Sequence, residues 1–106
     1  MKYLKRFEWE RHDLEIGDYV ICEEEGLHIS NFIKSHIGKL IHIELNNIND
    51  ITYYFIQYEN IPDVLKPHFT YNNYTDVRPM LNIEIKEYGK TPEEVKLKMD
   101  ANKYNL

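Results

Sequence analysis

Short apolar segments, each ended by turn-forming residues, limit what this chain can fold into. Runs of β-branched and aromatic residues predict strands, and the Asn, Asp, Gly and Pro residues between them predict turns. Two Asn-rich turns are predicted, at 46–50 and at 71–74. The predicted strands are Tyr19–Cys22, Lys39–Leu45, Tyr53–Tyr58 and Leu81–Lys86. Several short strands of even spacing predict a small antiparallel sheet, and closing it into a barrel would remove its exposed edges.

Helix signals are few. Ser30 could cap a single helical turn over residues 31–35. Thr91 and Pro92 have the residue types of an N-cap and a first helical position, and the predicted helix continues towards Asn102. The predicted fold is therefore mostly β: a small antiparallel barrel with a C-terminal α-helix lying across one opening, and a short N-terminal arm.

The chain has 106 residues, the size of one domain. We divide it into an arm at 1–15, a barrel at 16–88, and a helix with its tail at 89–106. The spacing within the arm permits a short amphipathic helix or an extended segment. A loop is predicted from Glu59 to about Pro79, and its length indicates that it is either functional or mobile.

Composition limits the classes of partner and compartment. Cys22 is the only cysteine, which excludes an internal disulfide and favours the reducing interior of a cell. No apolar run approaches the roughly 20 residues that span a bilayer. The net charge is −5, which lowers the expectation of nucleic-acid binding without excluding it, because nucleic acid is a polyanion.

Three segments resemble the strand signature of Src-homology-3-like small barrels, a group that includes the KOW modules of translation factors. They are Ile16–Val20, Ile37–Ile43 and Tyr53–Tyr58. The resemblance covers Ile16 to Tyr58 well and Leu81 to Tyr88 loosely. It implies the small-barrel fold and says almost nothing about function, since this barrel serves many unrelated functions.

The two ends of the chain resemble another group. Residues 1–8 look like the short leader of many small uncharacterised tailed-phage proteins, and residues 91–106 are similar to the tails of such proteins. The resemblance implies a phage accessory protein in the cytoplasm of an infected bacterial host. Small phage domains of this kind often inhibit or sequester components of host defence. No functional residue is carried over from this resemblance.

Catalytic and metal-binding signals are weak. The five histidines show no recognised ligand spacing, so we expect no metal site and no cofactor. Cys22 is interpreted as a small apolar strand residue, because the glutamates at 23–25 would raise the pKa of its thiol. The chain has no phosphate-binding glycine loop and no nucleophile-elbow motif, which disfavours an enzyme.

The nine tyrosines exceed what a core of this size needs and favour a binding surface. Tyr71, Tyr74 and Arg78 combine rings that can stack with a cation that can pair a phosphate or carboxylate. Tyr53 and Phe55 would add exposed rings if the alternate residues of their strand face inward. These five are the predicted ligand-binding residues, and the alternative is that the aromatic residues pack the loop onto the barrel.

The leading hypothesis is a non-catalytic phage binding module that inhibits a host protein or sequesters a small nucleotide-like ligand. One alternative is a nucleic-acid-binding barrel that uses Lys34, Lys39 and the aromatic residues of the third strand. Another is a structural virion component. An exposed edge strand, or the arm with its residues Leu4, Phe7 and Trp9, could pair two copies.

Overall fold

The computed structural model describes residues 14–26 and 29–104, so the arm predicted at 1–15 lies almost entirely outside the described residues. These residues form a five-stranded antiparallel sheet, a two-stranded sheet and two α-helices. The strands are β1 (Tyr19–Cys22), β2 (Gly38–Asn46), β3 (Ile51–Gln57), β4 (Thr70–Tyr71), β5 (Tyr74–Thr75), β6 (Val77–Met80) and β7 (Ile85–Gly89). The α-helices are α1 (Ile29–Ser35) and α2 (Pro92–Tyr104), and short 3₁₀ turns occupy Lys66–Phe69 and Asn82–Glu84.

The larger sheet has the strand order β6-β3-β2-β1-β7. Strands β2 and β3 form its longest ladder and are joined by the predicted Asn-rich turn. Asn46 accepts a hydrogen bond from the Ile48 amide through its side-chain oxygen (2.9 Å), and Asn49 accepts one from the Ile51 amide (3.1 Å). These bonds explain why Asn residues favour the turn. The predicted mostly β, antiparallel fold with a C-terminal helix is confirmed.

The two outermost strands of the sheet are consecutive in the chain. Strand β6 ends at Met80 and β7 begins at Ile85, with only the second 3₁₀ turn between them. The outer strands of a flat five-stranded sheet would lie about 19 Å apart, at about 4.8 Å per strand. A 3₁₀ turn advances only about 2 Å per residue. The sheet must therefore curl strongly, although no ladder joins β6 to β7 in the described part of the chain.

One buried cluster fills the space between the sheet, α1 and the first 3₁₀ turn. Tyr54, Ile56 and Tyr58 face this core, as the alternation of the third strand predicts. Other members come from β1, β2, β6, β7, α1 and the 3₁₀ turn: Val20, Cys22, Leu40, Met80, Ile85, Ile29, Phe32, Ile33 and Phe69. Each large apolar side chain buried in this way contributes about 1.5–3 kcal/mol to stability.

A β-bulge in β2 changes which residues face the core. Simple alternation puts Leu40 and Ile43 on opposite faces of the strand. The register shifts between Leu40 and His42, so Leu40 pairs with Ile56 and Ile43 pairs with Tyr54. A bulge adds one residue to one strand and reverses the faces beyond it. Leu40 and Ile43 therefore both lie on the core side.

The segment predicted as a loop from Glu59 to Pro79 contains a hairpin, β4–β5, and most of strand β6. The prediction was wrong for β6 because Pro79 suggests a break. Strand β6 is an edge strand, where a proline is tolerated because its missing amide can face away from the ladder.

The fourth strand begins later than predicted. Residues 82–84 form a 3₁₀ turn, and the strand starts only at Ile85. The side chain of Glu84 accepts a hydrogen bond from the Leu81 amide (2.7 Å), which stabilises the turn. The strand also continues beyond the predicted end at Lys86 and ends at Gly89.

Helix α2 begins as predicted. Thr91 accepts a hydrogen bond from the Glu94 amide through its hydroxyl (3.1 Å), and Glu94 accepts one from the Lys90 amide (3.0 Å). The first bond satisfies an amide that a helix start leaves unpaired, and the second ties the residue before the N-cap to the first turn. The helix contacts β7 and β1 and buries Val95. Neither described helix has the length and apolar character needed to cross a membrane.

Candidate functional site

Aromatic rings gather on the face of the sheet opposite the core. Phe55 lies between two core-facing residues of β3, so its ring points to the other face. Its ring centroid lies 5.1 Å from that of His42, 5.2 Å from that of Tyr71 and 5.5 Å from that of Tyr74, each edge to face. His42 also stacks on Tyr74 at 6.1 Å. We call these four residues the aromatic cluster.

The hairpin β4–β5 positions both tyrosines. Tyr71 and Tyr74 are direct cross-strand partners on either side of Asn72 and Asn73. Asn72 adopts a positive φ of 54°, a conformation that Asn tolerates better than most residues. The turn predicted at Tyr71–Tyr74 is therefore confirmed, and it places the two rings side by side over Phe55.

Exposure differs sharply within the cluster. Tyr71 is 37% exposed and Tyr74 is 36% exposed, whereas Phe55 is only 1% exposed. The prediction that Phe55 offers exposed ring surface is therefore wrong, because the hairpin tyrosines cover it. Tyr53 is half-buried and pairs with Glu44. The cluster thus presents two tyrosines to solvent above a buried phenylalanine.

His42 was not among the predicted site residues. It joins the cluster because the bulge before it aligns it with Phe55. Strict alternation of β2 gives no sign of the bulge, so the sequence pattern alone did not reveal this contact.

Arg78 does not lie beside the two tyrosines, and its interpretation as an isolated cation is wrong. On β6, Arg78 pairs with the core-facing Ile56, while the next residue, Pro79, pairs with Phe55. Paired residues share a face and neighbours along a strand alternate. The backbone of β6 therefore directs Arg78 away from the aromatic cluster.

The guanidinium of Arg78 is held by three acceptors. Two of its N–H groups bind the Glu24 carboxylate in a forked arrangement, and the Nε to Oε1 distance is 2.7 Å. A third N–H donates to the backbone carbonyl of His68 (2.8 Å). Such paired, charge-assisted bonds are strong and directional. Arg78 therefore links β6 to the segment after β1 and to the first 3₁₀ turn.

Other ionisable groups, buried or half-buried, interact with this ion pair. Burial raises the pKa of the Glu84 carboxyl, and the negative charge of Glu24 raises it further. Burial also raises the pKa of the Cys22 thiol to about 12, so the interpretation of Cys22 as a buried strand residue is confirmed. The Tyr58 hydroxyl lies against that thiol, a weak hydrogen-bonding group, and has no other partner among the described residues.

Open grooves lie elsewhere on the described part of the molecule, and two of them bear on the predicted residues. One, of about 570 Å³, is lined mainly by charged residues: Glu23, Glu24, Glu25, Ser30, Lys34, Ile83, Glu84 and Lys86. The other, of about 510 Å³, includes Tyr19, His36, Lys39 and Lys96. Lys34 and Lys39, which the nucleic-acid hypothesis groups together, thus line different grooves. Neither groove includes a residue of the aromatic cluster.

Residues 14–26 and 29–104 contain no group of three or more His, Cys, Asp or Glu side chains placed to hold a metal ion. No protein-family model matches the chain, and the searches of curated proteins and of solved structures gave no match.

Proposed function

We propose that the chain is a non-catalytic binding module of phage type, with a Src-homology-3-like small barrel, that inhibits a host protein by contact through the aromatic cluster. The observation that carries the proposal is the pair of tyrosines, each more than one third exposed and fixed over a buried phenylalanine.

Fixed tyrosines suit protein recognition. Tyr offers a large apolar ring with a polar tip, and it is enriched where a few residues dominate the binding energy. Tyr71 and Tyr74 are held by their cross-strand pairing and by edge-to-face contacts with Phe55. Little conformational entropy is lost when such rings bind, because their orientation is already set.

A partner protein fits this surface better than a nucleotide-like ligand does. Small ligands usually bind in concave sites, and the cluster belongs to neither groove. A phosphate would also need a cation beside the rings. Arg78, the cation predicted for that role, is occupied by Glu24 and by the His68 carbonyl.

The barrel part of the proposal is supported by the order of the strands. Strands β1 and β7 come first and last along the chain, and they are neighbours in the sheet. A short 3₁₀ turn connects β6 to β7. The curl that this connection requires brings the outer strands towards each other, as in a small barrel.

The test compares host proteins captured by the wild type and by a Tyr71→Lys/Tyr74→Lys double variant. The aliphatic stems of the lysines still cover part of Phe55, while the rings are lost. Leu97→Lys is the matched control, since Leu97 is an exposed residue on α2. Circular dichroism should show that all three proteins are folded.

We expect one host protein to be retained by the wild type and the control and lost with the double variant. Purified, it should bind the double variant at least about tenfold more weakly, as loss of a binding hot spot requires. Equal capture by the double variant would contradict the proposal. If nuclease treatment abolishes capture, and binding weakens steeply as the salt concentration rises, the nucleic-acid alternative is supported instead.

A further inference from the structure

Within residues 14–26 and 29–104, the outer half of β2 has a hydrogen-bonding edge with no strand beside it, here called the free edge. On the β1 side, the last backbone hydrogen bonds of β2 are those of Leu40, which donates to Asp18 (2.8 Å) and accepts from Gly17 (2.8 Å). Beyond Leu40, the segment Ile41–Asn46 pairs with β3 alone among the described residues. Alternate residues of an antiparallel strand direct their N–H and C=O groups to either side, so this segment offers backbone groups that have no strand partner in the described part of the chain.

The free edge begins beside a turn at residues 15–18, just before β1. The Glu15 amide donates to the Asp18 carboxylate (2.9 Å), and the Asp18 amide donates to the Glu15 carbonyl (3.0 Å). Gly17 has a φ of 101°, which favours glycine in this turn. The ammonium group of Lys90 donates to the carboxylates of Glu15 (2.7 Å) and Asp18 (2.9 Å) and holds the turn in place.

The free edge lacks two of the usual protections against pairing, lysine and proline. Proteins commonly place lysine, proline or inward-pointing charges on exposed edges. Residues 41–46 read Ile-His-Ile-Glu-Leu-Asn and contain neither lysine nor proline. Large apolar residues are exposed on and around the edge, namely Ile16, Leu45 and Ile48. An edge of this composition favours strand addition.

We propose that two copies of the chain pair antiparallel through this edge, about a two-fold axis at Ile43. This register places His42 of each copy opposite Glu44 of the other. Within one copy, His42 Nε2 and Glu44 Oε1 lie 3.7 Å apart, so the two side chains share a face of the sheet. A register centred on Glu44 would bring two carboxylates together, and like charges directly opposite are destabilising.

The same pairing covers apolar surface. Ile16 precedes the Gly17–Leu40 hydrogen bond at the inner end of the free edge, and Leu45 lies near its outer end. Antiparallel pairing brings Ile16 of one copy close to Leu45 of the other. It also joins the two five-stranded sheets, with both aromatic clusters on the same face. The dimer would therefore present two copies of the cluster side by side.

Sedimentation velocity over a concentration series tests the dimer with the wild type, Glu44→Lys, Leu45→Lys and the control Leu97→Lys. All three positions are exposed, so the variants should fold. We expect a reversible dimer that Glu44→Lys weakens on the order of tenfold, because the carboxylate that faces the imidazole of His42 in the other copy is lost at both equivalent positions. Leu97→Lys should leave the dissociation constant unchanged.

Cysteine cross-linking tests the register. Directly paired residues lie about 4.5–5.5 Å apart between Cα atoms, which suits a disulfide. Mild oxidation should convert Ile43→Cys to a covalent dimer and leave Leu97→Cys monomeric, while the buried Cys22 stays unreacted. Three outcomes would each overturn the proposal. The wild type could be monomeric at every concentration, or Glu44→Lys combined with Leu45→Lys could leave the dimer unaffected. Cross-linking could also be centred on another residue.

Discussion

Arg78 illustrates how the role of a single residue depends on the face of its strand. In sequence it lies four positions after Tyr74, and that nearness suggested one site. Its pairing with Ile56 directs it away from the aromatic cluster instead. The pairing register depends on long-range contacts, so the sequence could predict an important arginine but not its partner Glu24, which lies 54 positions earlier.

We expect Arg78→Ala to lower the free energy of unfolding by about 2–4 kcal/mol, because the largely buried Glu24 carboxylate loses its partner. Urea unfolding measures the change. Lys34→Ala, which removes an exposed cation, should change stability by less than about 0.5 kcal/mol. An Arg78→Met/Glu24→Met variant should be more stable than Arg78→Ala. A loss no larger than that of Lys34→Ala would show that the ion pair is dispensable.

Glu84 should make stability fall as the pH rises. Its pKa is raised in the folded chain, by burial first and then by Glu24, so the folded state binds the proton more tightly than the unfolded state does. Its stabilising contribution is therefore complete below the ordinary pKa of 4.5 and is lost as the pH rises through the higher folded value.

Glu84→Gln isolates the effect of this titration on stability, because the glutamine has no proton to bind in this range. The side-chain oxygen of the glutamine can still accept the hydrogen bond from the Leu81 amide. Relative to the wild type, the variant should gain stability between pH 4 and pH 7 in urea titrations. A difference in stability that does not change with pH would contradict the assignment.

At the scale of secondary-structure elements, regular patterns were predicted and irregular ones were not. Strand β1 and the start of α2 follow from a continuous apolar run and from the Thr91 N-cap. The bulge before His42 and the strand through Pro79 depend on pairing with β3, which no local pattern reveals. The candidate site was predicted in part for the same reason: Tyr71 and Tyr74 flank a recognisable turn, but their contact with Phe55 is long-range.

The beginning of β2 requires a glycine. A Cβ atom on Gly38 would collide with the side chain of Ile56 and would lie 3.0 Å from Tyr58. We expect Gly38→Ala to lower the free energy of unfolding by about 1–3 kcal/mol through overpacking. Gly26→Ala is the matched control, because its Cβ would meet Ile29 at an ordinary 3.5 Å. Equal stability of the two variants in urea would contradict this packing argument.

At the scale of the whole molecule, Cys22 reports on opening of the core. It is fully buried and burial raises its pKa to about 12, so a thiol reagent can react only when β1 leaves the sheet. We expect slow labelling of the native protein, accelerated by Arg78→Ala by about tenfold for each 1.4 kcal/mol of stability lost. Leu97→Cys should react at once and serves as the control. Fast labelling of the wild type in native buffer would mean that β1 opens locally.

The pairing of β1 with β7 also bears on how the protein is made. Tyr19 pairs with Gly89, seventy positions later, whereas β2 and β3 close over a turn of four residues. Contacts so distant in the chain form late, because closing a long loop costs more entropy. During synthesis on the ribosome, β1 is the first strand of the sheet to emerge, and it must wait for the last strand to complete its pairing. The nascent chain would therefore expose Val20 and Ile21 for most of its translation, a period in which a chaperone could bind them.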